Sequence, residues 1–410
     1  MAPEPNPAPQ SATLSPNGNY GLHSQLIPIL FLTGIFLLNF LSRSIIAPLL
    51  PQMESDLGLS HAQAGSFFFF ITSGYFIGLA VSGFIAARLR HRRTIIISVT
   101  TVGLALVAVG LSPSRPCICG ALLCLGMAAG LYLPSGIATI TTIVRPIHWG
   151  RALAIHELAP NLAVLAAPLV TVWLMPILSW QGIVMAIGCA SFGLGLCYIR
   201  WGRGGEFPGR PPDAKSLAKL MKLPAFWIMS VLINLGVMGT MGVFTMLPLY
   251  LVNEHKLSMD SANLLIAVSR ISSPFMALSS GWISDRLGLK PTMALVLAIG
   301  GATTMALGMV SGSWIKVLVI AQPIASVCLF PPAFAAVALI VSPEERSLAV
   351  SLTAAIGIVV GGGLFPWLVG HLGEIGAFSS GYILAGGVIM AGTALLPWLR
   401  FGSAEEELRK

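Results

Sequence analysis

Long apolar runs separated by short charged turns decide what this chain can become. Twelve such runs occupy residues 26–50, 62–87, 94–112, 117–143, 151–176, 181–199, 225–251, 261–285, 291–312, 315–340, 347–371 and 378–399. Each is about the 20 residues an α-helix needs to cross a bilayer. Only 9% of the 410 residues are charged, against roughly 25% in soluble domains. A water-soluble globule is excluded, and an all-α membrane protein of twelve spans is expected.

The basic residues give the spans a direction. Eighteen of the 23 Lys and Arg fall in alternate turns and at the ends of the chain. They include Arg88, Arg90, Arg92 and Arg93, the group Arg200, Arg203, Arg210, Lys215, Lys219 and Lys222, and Arg286, Lys290 and Arg346. The opposite turns hold only Arg115, Lys256 and Lys316. By the positive-inside rule, both termini are expected in the cytoplasm of a multi-pass plasma (inner) membrane protein. The net charge of +8 then reflects orientation in the lipid bilayer, and no nucleic-acid partner is implied. Residues 1–24, rich in Pro, Asn and Ser without Lys or Arg, are expected to be a disordered cytoplasmic tail; 401–410 form a second short tail. The six Cys lie in or beside apolar runs, where packing is their expected role; Cys117 and Cys119 alone are a weak metal signal.

The chain repeats itself. At an offset of 198, Leu59-Ser60 meets Leu257-Ser258, Ser82-Gly83 meets Ser280-Gly281, Arg88-Leu89 meets Arg286-Leu287, Thr94 meets Thr292, and Pro134 meets Pro332. Two bundles of six helices, 25–200 and 225–400, are therefore expected, joined by a cytoplasmic linker at 201–224. Repeated membrane halves are a signature of secondary transporters, whose substrate site lies between the halves.

The segment Gly281-Trp282-Ile283-Ser284-Asp285-Arg286-Leu287-Gly288-Leu289-Lys290 resembles the G-x-x-x-D-R-x-G-x-[RK] signature of the major facilitator superfamily. The resemblance extends over about residues 25–400. It implies the major facilitator fold, alternating access, and a gating latch built on Gly281, Asp285, Arg286, Gly288 and Lys290. The first-half copy keeps Gly83 and Arg88 but has Ala87 for the Asp and Arg90 for the second Gly.

Charges inside a membrane are costly and mark functional places. Arg43 lies about seven residues below the outer end of the first run, roughly 10 Å. It either serves an anion in the cavity or snorkels to the headgroups. Its segment resembles the first helix of anion–cation symporters, with Ser42 in place of their Asp. Arg270 lies about nine residues deep, roughly 14 Å. It is similar to the eighth-helix Arg that anchors the carboxylate in monocarboxylate transporters; the alternative is a structural pair with an acid. Leu223-Pro224-Ala225-Phe226-Trp227 is also similar to that group.

Glu157 is the one acid well inside a run, with His156 beside it and Asn161 one turn on. These three are the candidates for proton coupling. Glu157 pairing with Arg151, and His156 as a packed residue, are the structural alternatives. Asn39, Tyr132, Asn234 and Gln322 are the uncharged candidates for substrate contact, each equally able to bond one helix to the next. No ATP loop is present, no cofactor or metal is implied, and no catalytic motif suggests an enzyme. The sequence thus points to a monomeric carrier of a small molecule. Proton-coupled uptake (symport) of an organic anion, a mono- or dicarboxylate, is favoured. The antiporter marks are poor: Leu122 and Leu123 precede Gly126, and Ala166-Ala167-Pro168 stands where antiporters carry Gly-Pro. Proton-driven export of drugs or amphiphiles is the runner-up, and a membrane sensor or enzyme the non-transport alternative.

Overall fold

A computed structural model describes residues 22–145, 148–209, 214–341 and 346–401. Most of the two expected tails, residues 1–21 and 402–410, lies outside them. The described residues are almost wholly helical and contain no strand. Backbone polar groups in lipid need partners from the protein itself, and only helices, within one segment, or closed barrels, between strands, supply them all.

In chain order the first half contains α1 (Leu22–Ser44), α2 (Ile46–Leu57), α3 (His61–Leu111), α4 (Arg115–Gly130), α5 (Tyr132–Ile143), α6 (Trp149–Leu174) and α7 (Trp180–Trp201). After α8 (Ala214–Met221) come α9 (Pro224–Val237), α10 (Val243–Asn253), α11 (Met259–Arg270), α12 (Ser273–Leu287) and α13 (Leu289–Met309). The last five are α14 (Trp314–Ser326), α15 (Phe330–Ile340), α16 (Arg346–Val359), α17 (Phe365–Glu374) and α18 (Phe378–Ala391).

Among the described residues, ten continuous helices are long and apolar enough to span, or eleven if the bent pair α11–α12 is one span. One of them, α3, has 51 residues and breaks at Arg90. At 1.5 Å per residue it is about twice as long as a bilayer core is thick, so it supplies two spans. The twelve expected segments are all present.

Breaks inside spans fall where the sequence weakens the helix. A π-turn at Met238–Gly242 joins α9 to α10, and a second at Val360–Leu364 joins α16 to α17. The two turns pack on one another, Gly361 lying against Met238 and Asn234. Such turns concentrate at functional sites. Within the first half, the close pairing of α3 with α4 follows from Gly74 and Gly78 facing Gly126 and Gly130 at four-residue spacing.

Since the spans alternate in direction, the first and last described residues share one end with the connection between halves. At the other end the halves close on each other through α2–α10, α6–α11 and α3–α17. Part of the connection is docked. His91 N donates to Phe207 O (3.2 Å), Arg92 N to Gly205 O (2.8 Å) and Gly209 N to Ala86 O (3.0 Å). Arg92 also pairs with Glu206 at 2.8 Å. Residues 202–209 therefore belong physically to the first half. In the second half, Trp227 Nε1 donates to Met221 O (2.9 Å) and Leu220 is fully buried, so α8 sits on α9.

Candidate functional site

The candidate site has one arginine from each half. Arg43 ends α1 with its guanidinium 4.5 Å from the ring centres of both Phe40 and Tyr75. Phe40 is one turn earlier on the same helix, the spacing that brings two side chains together. Tyr75 comes from α3. The guanidinium is therefore held between two aromatic faces.

Arg270 ends α11, only 8% exposed, with its guanidinium 4.8 Å from the Phe244 ring centre. Its polar contact within the protein is Thr240 O at 3.5 Å, a carbonyl of the first π-turn. The Nε of each arginine is buried without a partner. Neither forms an ion pair among the described residues. Aromatic faces attract a cation but leave the in-plane N–H groups unsatisfied, and those are the groups that grip a carboxylate through two bonds. A buried charge without a counter-ion costs several kcal/mol, so an incoming anion is favoured on electrostatic grounds.

Register places the two arginines at similar depth. Asn263 Nδ2 donates to Pro48 O across the halves at 3.3 Å. Counting from that contact, Arg43 lies five residues and Arg270 seven residues toward the middle, about 7.5 and 10.5 Å at the helical rise.

The acid candidate lies on the first half. Glu157 is exposed. His156 is fully buried, stacked on Phe36 (4.5 Å between centroids, 7° between planes) and beside Tyr132. The Tyr132 hydroxyl donates to Leu32 O at 2.7 Å and lies 3.1 Å from His156 Nε2. Its single proton is used on Leu32, so Nε2 must donate to the Tyr132 oxygen. That leaves Nδ1 facing Glu157 Oε1 at 3.4 Å, in ion-pair range but out of hydrogen-bond alignment. The expected alternative pair of Glu157 with Arg151 does not form among the described residues. Asn161 Nδ2 donates to the Glu157 backbone carbonyl (3.1 Å) and leaves the carboxylate free of it.

The uncharged candidates divide. Asn39 Nδ2 bonds Ala129 O at 3.3 Å, with Oδ1 buried and unpartnered; Asn234 Oδ1 is also unpartnered, beside Gly361. The amide nitrogen of Gln322 is used structurally: it contacts Gly239 O (2.6 Å), Ser326 Oγ (2.9 Å) and Thr304 Oγ1 (3.1 Å), tying α14 to α13 and the π-turn. Tyr132 likewise spends its hydroxyl on α1 and α6. Sequence reasoning missed Tyr75 and Phe244, which come from other spans and leave no local signal; Phe40 could have been found from its spacing.

The residues expected to form the gating motif stand apart from these, at the end holding the connection. Asp285 is exposed, with no bond or ion pair among the described residues. Arg286 lies 3.9 Å over the Trp282 ring centre, and Lys290 lies 5.1 Å over that of Phe401. Gly288 turns the chain from α12 into α13 at φ 89°, ψ 158°. Gly83 and Gly281 are half-buried and Arg88 is exposed. An unengaged Asp285 agrees with halves that close at the opposite end.

The profile of the Major Facilitator Superfamily matches residues 32–321 and 237–410. The chain belongs to that superfamily. It is a multi-pass integral membrane protein. The tetracenomycin C resistance and export protein of Streptomyces glaucescens is 24% identical over 216 residues, 51% of this chain. The match spans 39% of that relative's length. Among solved structures, a bacterial homolog of the human lysosomal transporter Spinster, inward-facing and unoccupied, gives a TM-score of 0.73 at 17% identity. That alignment covers 92% of this chain and 95% of the other. A D-xylose–proton symporter gives 0.73 at 15% identity over 91% and 97% of the two chains. A POT family transporter in complex with 5-aminolevulinic acid gives 0.75 at 13% identity over 95% and 98%. At these identities the likeness shows the superfamily fold and leaves the cargo to the site.

Proposed function

We propose that this transporter takes up a small organic anion, a mono- or dicarboxylate, together with a proton. The observation that carries the reading is the pair of arginines, each resting on aromatic faces with Nε unpaired and no carboxylate partner among the described residues. Arg270 grips the carboxylate and Arg43 draws it in or binds a second anionic group. Asn39 and Asn234, each with an unpartnered carbonyl oxygen, accept bonds from donor groups on the cargo. Glu157 and His156 hold the coupling proton between Oε1 and Nδ1, the one arrangement that satisfies both atoms when Nε2 already donates to Tyr132. The plasma membrane, cytoplasmic termini and a monomeric carrier complete the reading.

The test is counterflow in proteoliposomes. Protein loaded with an unlabelled carboxylate should accumulate the labelled one, and an inward proton gradient should drive uphill uptake. Absence of both for a panel of mono- and dicarboxylates would reject it. Export of an amphiphile is the second reading, favoured by the match to the tetracenomycin C export protein. Its mark would be accumulation of amphiphilic compounds in inside-out vesicles.

A further inference from the structure

At the closed end of the molecule a carboxylate apart from both arginines crosses from one half to the other. Helix α3 of the first half starts with its own capping box: Gln63 N donates to Ser60 Oγ at 3.3 Å, and Ser60 N to Gln63 Oε1 at 3.2 Å. The next orphan donor, Ala62 N–H, is capped from the other half: it donates to Glu374 Oε1 at 3.1 Å. Glu374 is the last residue of α17, 312 positions away. A carboxylate at this place satisfies a backbone donor and meets the positive end of the helix dipole.

The surroundings fix the contact. Gly370, one turn before Glu374, lies so close to the His61 carbonyl that a Cβ would overlap it. A Cβ on Gly65 would come within 2.5 Å of Pro366 O. The charged and titratable groups around Glu374 are His371 on its own helix (3.5 Å) and His61 on α3. His61 in turn pairs with Glu54 of α2 at 2.9 Å and packs on Phe378 of α18. No lysine or arginine pairs with Glu374 among the described residues, so the helix terminus is its main partner.

We infer that Glu374 is the latch of this gate: a helix cap donated by one half to the other, made when this end closes and broken when it opens. Unlike an ion pair of two surface side chains, one member is main chain, so the latch engages only when α3 and α17 are in backbone contact. It does not depend on the identity of the cargo.

The test places spin labels at Asp56 and Ile375, exposed positions on either side of this end, in full-length protein in nanodiscs. A cap is worth enough to shift a two-state ratio about fivefold. Glu374→Ala should therefore raise the open-to-closed ratio about fivefold. Glu374→Gln, which keeps a neutral acceptor, should fall between Ala and wild type. Gly370→Ala, which wedges the same backbone contact and leaves the carboxylate intact, should open this end as well. Distance distributions in both Glu374 variants matching wild type, in folded protein, would overturn the latch. So would a shift caused by Gly370→Ala alone.

Discussion

Arg90 and Gly288 hold the same backbone conformation at equivalent places in the two halves, φ 68° with ψ 158° and φ 89° with ψ 158°. Each turns the chain from the second span of its half into the third. Glycine reaches this region freely; for any residue with a Cβ it costs of order 1–3 kcal/mol. The repeat has kept the turn in the first half after losing the residue that makes it easy.

Arg90→Gly should therefore stabilise the protein by about 1 kcal/mol. Arg90→Ala should give no such gain, because Ala keeps the Cβ. Thermal unfolding in detergent compares the two. Equal midpoints for Gly and Ala would place the effect in the arginine side chain instead of the backbone.

Arg270→Lys and Arg270→Ala should both weaken carboxylate binding, by about 1.5–3 kcal/mol for a lost bidentate charge-assisted contact. Lysine keeps the charge but neither the planar fork nor its stacking on Phe244. Arg43→Lys should be milder, since attracting an anion needs charge more than geometry. Titration of the best-stabilising carboxylate against the three folded proteins measures this. Unchanged affinity in both Arg270 variants would favour the amphiphile exporter.

Glu157→Gln should uncouple accumulation from the proton gradient and leave downhill exchange running. The amide cannot share a proton with His156 Nδ1 across their 3.4 Å separation. Uphill and exchange fluxes under an imposed pH gradient separate the two behaviours, and normal proton-driven accumulation would move the coupling site elsewhere.

Single cysteines in a cysteine-free background fix orientation. An impermeant reagent on intact cells should label Ser258→Cys, exposed before α11, and spare Ala218→Cys on α8. The reverse pattern would invert the topology.

Much of the fold was legible because a bilayer imposes one length and one polarity on every span. The same rule exposed Arg43, Arg270 and Glu157, whose charges stand out against apolar neighbours. The repeat offset of 198 located the two turns that the structure shows to be conformational twins. What lay beyond the sequence was which side chains turn toward one another across spans. Gln322 and Tyr132 look like cavity residues in a string of letters, yet the amide nitrogen of one bonds Gly239 and Thr304 and the hydroxyl of the other bonds Leu32. Tyr75 looks like any membrane tyrosine until it lies under Arg43. Glu374 looks like a charged loop residue until it meets Ala62. Those distinctions depend on helix rotation and on contacts hundreds of residues apart, which no local spacing encodes.

The docked stretch 202–209 limits how far the molecule can gape. Residues up to Gly209 travel with the first half and those from Ala214 with the second. Only five Cα-to-Cα steps join these two moving bodies, a reach of about 17 Å when fully extended. The covalent chain is thus a short leash across the mouth at the end where the two halves are joined. Swing amplitude there is bounded by chain length as well as by packing.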